Sequence, residues 1–284
     1  MKRIRIVTDS TADIPAAVRE EFDIAMVPLK VHFGSETYLD AVTIQSGEFY
    51  EKLTQSEELP TTSQPSPVDF LETYKRLLEE PETEIISIHL SSAMSGTYQS
   101  ALLAKTLLDD EGRVAVIDSR SASYGIGLLA VEAAKAAREG RSREEIMQLI
   151  EENRIKTTIY FLVGTLEYLQ KGGRIAKASA LLGTLLNIKP ILTLDPDGEV
   201  APVDKVRGQR KAMTRIVELL KRDFEGREID LIVAHSHAPE AADELGALVK
   251  DQFRVRRYGV TELGPVIGTH AGPGTSAVFV LPVS

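Results

Sequence analysis

Hydroxyl side chains are concentrated where an apolar strand pattern, residues 85–90, is followed by an amphipathic helix pattern, residues 97–109. The hydroxyls at this junction belong to Ser91, Ser92, Ser95 and Thr97. Gly96 allows a ligand to approach backbone N–H groups that have no partner inside the helix. We therefore interpret the junction as a site for a phosphate or a carboxylate. The alternative is an ordinary capping turn in which Ser95 or a neighbour is the N-cap.

Two further segments place hydrogen-bonding side chains among prolines or glycines. Residues 60–67, PTTSQPSP, hold hydroxyls and one amide in a stretch that three prolines keep extended. They could line a ligand, or form a linker and N-cap. Residues 268–277, GTHAGPGTSA, contain His270 between glycines that permit close approach of the backbone. His270 can donate a hydrogen bond to an anion, and the alternative is a solvent-facing loop histidine.

Two arginines could contact a phosphate or an acidic partner through the paired donors of the guanidinium group. Arg174 follows two glycines in the segment KGGRI, residues 171–175, and Arg207 lies in the segment KVRGQRKA, residues 205–212. The two glycines are also typical of a helix C-cap, so simple helix termination is the alternative for the first segment.

The motifs of common catalytic sites are incomplete. A serine-hydrolase elbow needs glycine two residues before the serine, and Ala93 occupies that place before Ser95. His235 and His237 could share one face of a strand end and bind a metal ion, but no clear third ligand accompanies them. There is no P-loop, and residues 125–130 lack the full dinucleotide fingerprint. We predict no catalytic residue, no metal and no nucleotide site.

These segments need a scaffold, and the first half of the chain supplies one. Strand and helix patterns alternate up to about residue 140, which predicts an α/β domain with a mainly parallel sheet and helices on both faces. Ligands of such sheets bind beyond the carboxyl ends of the strands. Three polar loops, residues 8–11, 91–95 and 118–121, come at the ends of strand patterns and should share that edge.

The pattern changes after a charged, exposed helix pattern over residues 140–157. We place the domain boundary there, with an N-terminal α/β domain of residues 1–157 and a smaller C-terminal α+β domain of residues 158–284. In the second domain, Asp-Pro-Asp-Gly at residues 195–198 predicts a hairpin. Residues 178–188 predict an apolar helix that could line a ligand slot or belong to the core.

Composition narrows the class of protein. At 284 residues, with 43% hydrophobic residues, the chain can bury a large core. A net charge of −9 and a pI near 5.2 argue against nucleic acid or anionic membranes as partners. The absence of cysteine excludes disulfides and sulfur-based zinc sites and fits a cytoplasmic protein. No run of about 18 apolar residues occurs, so we expect no stable membrane insertion.

Six segments, taken together and in this order, resemble those of the DegV family over nearly the whole chain. They are VTDSTADIP (residues 7–15), TTSQPSP (61–67), SSAMSGTYQSA (91–101), IDSRSASYGIG (117–127), LEYLQKGGRI (166–175) and GPVIGTHAGPG (264–274). The resemblance implies a two-domain α/β protein that binds one long-chain fatty acid at the domain interface and uses no cofactor. It also implies the acyl-carrying subunit of a bacterial fatty acid kinase, which presents the carboxylate to a separate ATP-dependent catalytic subunit for acyl-phosphate formation.

The resemblance also implies roles for particular residues. The implied carboxylate contacts are Thr62, Ser63, Ser95, Gly96 and His270. The implied partner-facing residues around the head group are Asp40, Arg174 and Arg207. The sequence departs from the family pattern at Asp40-Ala41, where Asp-Gly is expected.

Two alternatives from other functional classes remain open. One is a serine-dependent acyl transferase or hydrolase, with Ser95 as nucleophile and His270 as base. The other is a regulatory protein that responds to a lipid by binding a protein partner. Neither alternative has a distinctive motif in this sequence.

Overall fold

The computed structural model describes residues 3–183 and 188–283 of the chain. The strands within these residues are β1 (Arg3–Asp9), β2 (Ala25–Val27), β3 (Lys30–Phe33), β4 (Glu36–Leu39), β5 (Thr61–Ser63), β6 (Thr83–His89), β7 (Val114–Asp118), β8 (Thr158–Leu162), β9 (Ile188–Leu194), β10 (Val200–Arg207), β11 (Glu228–His235), β12 (Arg254–Glu262) and β13 (Ser276–Pro282). The α-helices are α1 (Ala16–Phe22), α2 (Ser46–Gln55), α3 (Pro67–Leu78), α4 (Thr97–Thr106), α5 (Tyr124–Arg138), α6 (Arg143–Lys156), α7 (Glu167–Lys171), α8 (Gln209–Phe224), α9 (Pro239–Gln252) and α10 (Pro265–Ala271). Short 3₁₀ turns cover Ser10–Ala12, Glu111–Arg113 and Ala176–Leu181.

The first sheet is fully parallel, with the strand order β2-β1-β6-β7. Its central strands are apolar on both sides, and successive residues face opposite layers. Ile6 and Ile88 pack with α1, α5 and α6, whereas Val7 and Ile85 pack with α3 and α4. The predicted parallel sheet with helices on both faces is confirmed. The three polar loops lie at the carboxyl ends of β1, β6 and β7, as expected.

A small antiparallel sheet, of order β4-β3-β5, has no counterpart in the sequence predictions. The sequence pattern predicts one strand over residues 25–33, which is wrong because β2 belongs to the first sheet and β3 to the small one. Pro28 lies between the two strands and has no N–H to donate to a ladder, so the chain changes sheets there. Helices α2 and α10 pack on the small sheet through Phe49, Tyr50 and Val266.

The large sheet, of order β10-β9-β8-β13-β11-β12, is built from the second half of the chain. Val278 and Val280 of β13 pack against α8 and α9, whereas Ala277 and Phe279 face α5 of the first half and α10. The hairpin predicted around residues 195–198 joins β9 to β10 and is confirmed. The division between residues 157 and 158 coincides with the start of β8 and stays a prediction.

The helix predicted over residues 178–188 is wrong where the structure describes it. A 3₁₀ turn ends at Leu181, and β9 begins at Ile188. Gly183 has a φ of 78°, in the left-handed region that ends helices. The remainder of the prediction, residues 184–187, lies outside the described residues. None of the helices in the described ranges combines the length and the apolar character needed to cross a membrane.

Candidate functional site

An apolar cavity, called the slot below, lies between the first half of the chain and the large sheet. It contains about 910 Å³ free of protein atoms, including its open mouth. The aliphatic and aromatic walls are formed by Leu90, Ile159, Phe161, Leu194, Leu263 and Phe279. A cavity therefore occupies the place that was predicted for the ligand, between the two predicted domains.

One end of the slot is polar. The structure brings together here five predicted residues from four separate segments: Thr62, Ser63, Ser95, Arg174 and His270. Strand β5 of the small sheet carries the first two, the turn before α4 carries Ser95, and α10 carries His270. Thr62 meets His270 because α10 packs on the small sheet.

His270 has one satisfied and one unsatisfied ring nitrogen. Its Nε2 lies 2.8 Å from Thr62 Oγ1, whereas its Nδ1 is buried without a partner. The ring fits against the end of α7 because residue 172 is glycine: a Cβ there would lie 2.3 Å from Nδ1. Burial, with a smaller contribution from Arg174, lowers the pKa of His270 to about 4. The imidazole is therefore neutral at pH 7 and can offer one N–H to an anion.

Ser95 lies in the turn that precedes α4. Its Oγ is 2.9 Å from Thr97 Oγ1 and accepts a hydrogen bond from the Thr97 N–H at 3.3 Å. The N-cap of α4 is Gly96, the neighbour of Ser95, and no side chain accepts a capping hydrogen bond there. A side chain at Gly96 would lie 2.6 Å from Gln64 Nε2. Gly96 thus allows close packing of the two polar segments, and it is not itself a lining residue.

The PTTSQPSP segment serves both purposes that its sequence suggested. Ser66 caps α3 with a full capping box, and Thr62 and Ser63 line the slot. The Ser63 hydroxyl is 2.9 Å from His32 Nε2. Gln64 also lines the slot and was not singled out from the sequence, although the amide in a proline-flanked hydroxyl segment was the available signal.

The two candidate arginines occupy different places. Arg174 is exposed at the polar end of the slot, where its Nε donates to the Met94 carbonyl at 3.1 Å and its Nη1 to the Gly172 carbonyl at 2.6 Å. It thereby connects the loop after β6 with the end of α7. Arg207 is exposed at the end of β10 and does not line the slot.

Asp40 does not lie on an exposed face, which corrects the position implied by the resemblance. Asp40 is only 1% exposed. Its carboxylate and that of Asp13 both lie beside Gly264, the N-cap of α10. Burial raises the pKa of Asp40 to about 7, with a smaller contribution from Asp9. The departure at Ala41 has a structural consequence, because Ala41 adopts the left-handed conformation with a φ of 58° that glycine adopts without cost.

The geometry does not favour a nucleophile and base pair. Within the described residues, no hydrogen bond joins Ser95 to His270. The Ser95 hydroxyl is bonded to Thr97, and the His270 ring is bonded to Thr62. His237 stacks on Tyr50 with ring centroids 5.8 Å apart. Across residues 3–183 and 188–283, no group of three side chains is arranged to hold a metal ion.

Comparison with known proteins identifies the family. The sequence model of the DegV family, described as uncharacterised proteins, matches residues 3–283. The chain belongs to the DegV family. A DegV domain-containing protein of Caldanaerobacter subterraneus subsp. tengcongensis is 40% identical over 98% of this chain and 99% of its own length.

Solved structures of DegV proteins have the same fold. A DegV family protein from Thermus thermophilus, described by its fatty acid binding, has a TM-score of 0.94 and 39% identity over 99% of this chain and all of its own. DegV of Bacillus subtilis, described as a fatty acid binding protein, has a TM-score of 0.89 and 36% identity over the full length of both chains. The predicted two-domain α/β class is therefore confirmed.

Proposed function

We propose that this DegV family protein binds one long-chain fatty acid in the slot, with the carboxylate at the polar end. The single observation that carries the proposal is the composition of the cavity, which is apolar along its walls and has hydroxyl and imidazole groups at one end. The fatty acid binding described for the Thermus thermophilus and Bacillus subtilis relatives supports the same ligand.

The energetics suit such a ligand. Each methylene that leaves water stabilises the complex by about 0.8 kcal/mol, so burial of the acyl chain can drive tight binding. A buried carboxylate is costly without donors, and Thr62, Ser95 and His270 supply hydroxyl and imidazole groups. With the proton of the neutral ring on Nε2, His270 donates to Thr62 Oγ1 and leaves the Thr62 hydroxyl hydrogen for the carboxylate. We assign these residues, with Ser63, to the carboxylate site, and Gly96 to its packing.

We further propose that the bound carboxylate is presented to a separate ATP-dependent kinase subunit that makes the acyl phosphate. The polar end of the slot supports this step because it adjoins a surface groove that shares Thr62, Arg174 and His270 with the slot. A carboxylate held there would be near a docked partner. Arg174 and Arg207 are exposed cations that could contact that partner, whereas buried Asp40 is not part of this proposal. The chain itself would act as a carrier in the cytoplasm, where ATP is available.

The deciding experiment is extraction of the purified protein with organic solvent, followed by mass spectrometry. We expect about one fatty acid per chain, either as purified or after incubation with a mixture of fatty acids. A protein that binds no fatty acid under either condition would refute the carrier proposal. A protein that binds fatty acid but never yields acyl phosphate with a bacterial fatty acid kinase subunit and ATP would refute only the second step.

A further inference from the structure

The slot adjoins the surface at a second place, away from its polar end. A separate groove crosses the chain between the loop after β7, the end of α6 and the hairpin of β9 and β10. Ile159 and Leu194 line both this groove and the slot. Neither residue lines the groove at the polar end. Ile159 and Leu194 therefore separate the slot from the surface on that side.

The pairing of β8 with β13 places Ile159 away from α10, the helix that carries His270. Strand β13 begins at Ser276, just after α10 and His270, and pairs there with Leu162 of β8. Ile159 pairs with Phe279, which lies three residues further along β13. Three residues of strand span about 10 Å. Ile159 thus lies about 10 Å further from α10 than the first residue of β13 does, a distance comparable to several methylenes.

The hydrogen-bond ladder between β8 and β9, the strands that carry Ile159 and Leu194, is incomplete. Strands β8 and β9 are paired only through Phe161 and Leu192 in the described residues. One step nearer the groove, the Thr193 hydroxyl donates to the Ile159 carbonyl at 2.7 Å, in place of a backbone ladder bond. Beside Ile159 and Leu194, side chains therefore hold β8 and β9 together in place of a continuous backbone ladder.

The glycine at position 125 leaves space for the Ile159 side chain. A Cβ at Gly125 would lie 2.9 Å from Ile159 Cδ1 and 2.1 Å from Ser121 Oγ. The Ile159 side chain is thus seated directly against α5, and the glycine leaves room for it. Gly125 belongs to the incomplete dinucleotide fingerprint, and packing against Ile159 explains its presence without a nucleotide.

We infer that Ile159 and Leu194 form the stop that limits the length of the acyl chain, and that the groove behind them can receive a tail when either side chain is shortened. The inference rests on the proposed function, since it names the residues that set chain length for the same slot. The groove also offers a polar group for a polar tail, because the exposed Arg120 lines it.

The first test measures affinity for saturated fatty acids of increasing length in the wild type, Ile159→Ala and Leu194→Ala. Below the length limit, affinity should rise about fourfold for each added methylene, the equivalent of about 0.8 kcal/mol. We expect this rise to stop at a longer chain in both variants. Leu194→Phe should shift the limit to a shorter chain. Leu263→Ala is the matched control, because Leu263 lines the slot but not the groove, and it should leave the limit unchanged.

The second test uses a long-chain dicarboxylic acid. In the wild type the second carboxylate would be forced against apolar side chains, so the diacid should bind at least about a hundredfold more weakly than the monoacid. Leu194→Ala should recover at least about tenfold of that loss, since the tail could reach water and the polar groups of the groove.

The outcomes separate the two proposals. An unchanged length limit in Ile159→Ala, Leu194→Ala and Leu194→Phe, with wild-type affinity for a short fatty acid, would overturn the assignment of the stop and leave fatty acid binding intact. An equal shift in Leu263→Ala would also overturn it, because any enlargement of the slot would then suffice. Absence of fatty acid binding by the wild type would instead overturn the proposed function.

Discussion

Two polar clusters, each containing a histidine, differ in how completely they are bonded. In the closed cluster, formed by Asp9, Tyr74, Ser87 and His89, hydrogen bonds run from Tyr74 OH to Ser87 Oγ at 2.8 Å, from Ser87 Oγ to His89 Nε2 at 2.6 Å and from His89 Nδ1 to Asp9 at 3.0 Å. In the open cluster, formed by Thr62, Ser95, Arg174 and His270, one ring nitrogen of the histidine has no partner.

The comparison shows that residue types alone do not make a binding site. The closed cluster has the serine, histidine and aspartate of a hydrolase, but its residues are buried and line neither the slot nor the two grooves that adjoin it. The open cluster borders an apolar slot and retains unused hydrogen-bonding capacity. Thr62, Ser95 and His270 line the slot, where a ligand can contact them, whereas no residue of the closed cluster lines it.

The largest expected effect is loss of stability when the closed cluster is broken. The Asp9 carboxylate accepts hydrogen bonds from Thr11, His89 and the Leu90 N–H. Asp9→Ala would leave these donors buried and unpaired, so we expect the free energy of unfolding to fall by at least about 3 kcal/mol. Denaturant unfolding measures it. Asp9→Asn, which keeps the shape and one acceptor, should lose less; an equal loss would contradict this explanation.

The open cluster should show the opposite behaviour. His270→Ala and Ser95→Ala remove groups assigned to the carboxylate, and hydrogen bonds to charged groups contribute about 1.5–3 kcal/mol each. We expect fatty acid affinity and acyl phosphorylation to fall by about tenfold or more, with the unfolding midpoint little changed. Binding of a labelled fatty acid and thermal unfolding measure the two quantities. Wild-type affinity and phosphorylation in both variants would refute the site.

The buried histidine of the open cluster, His270, should make stability depend on pH. Its folded-state pKa of about 4 lies below its ordinary value of 6.5, so only the unfolded chain takes up this proton between the two values. His270 therefore lowers stability as the pH falls from about 6.5 to 4. His270→Asn should remove this loss, and its stability relative to wild type should rise by about 2 kcal/mol between pH 7 and pH 4.5. Urea unfolding at the two pH values is the measurement.

Asp40→Asn is the control for that profile, because the sign is reversed. The folded-state pKa of Asp40 is about 7, above its ordinary 3.8, so the folded chain keeps a proton that the unfolded chain has lost. This contribution weakens stability as the pH rises from about 4 to 7. Asp40→Asn should therefore stabilise the protein more at pH 8 than at pH 4.5. The same pH trend in both variants would contradict these assignments.

The smallest effect is expected outside both clusters, at Ala41. Ala41→Gly removes a side chain from a left-handed backbone position, which should stabilise the fold by about 1 kcal/mol. Fatty acid affinity should not change, because Ala41 does not line the slot. A loss of stability in the thermal unfolding of Ala41→Gly would show that the side chain makes contacts that outweigh the backbone strain.

Local patterns in the sequence determined much of the scaffold. Alternating strands and helices predicted the parallel sheet, and this geometry in turn placed the loop of Ser91 to Ser95 at the carboxyl edge. The Asp-Pro-Asp-Gly turn predicted the hairpin because turn residues act within a few positions. The six DegV segments predicted the family and the fold class.

Tertiary structure alone decided which polar residues share a site. His89 and His270 both follow apolar segments, but packing of α10 on the unpredicted small sheet brought His270 to Thr62 and the slot, while His89 was enclosed in the first sheet. The same packing buried Asp40, which local sequence could not reveal. The wall of the slot at Ile159 and Leu194 also depends on strands β8 and β9, whose incomplete pairing is a property of two distant segments. Burial and contact depend on the summed packing of segments far apart in the chain, whereas strand and helix patterns depend on near neighbours.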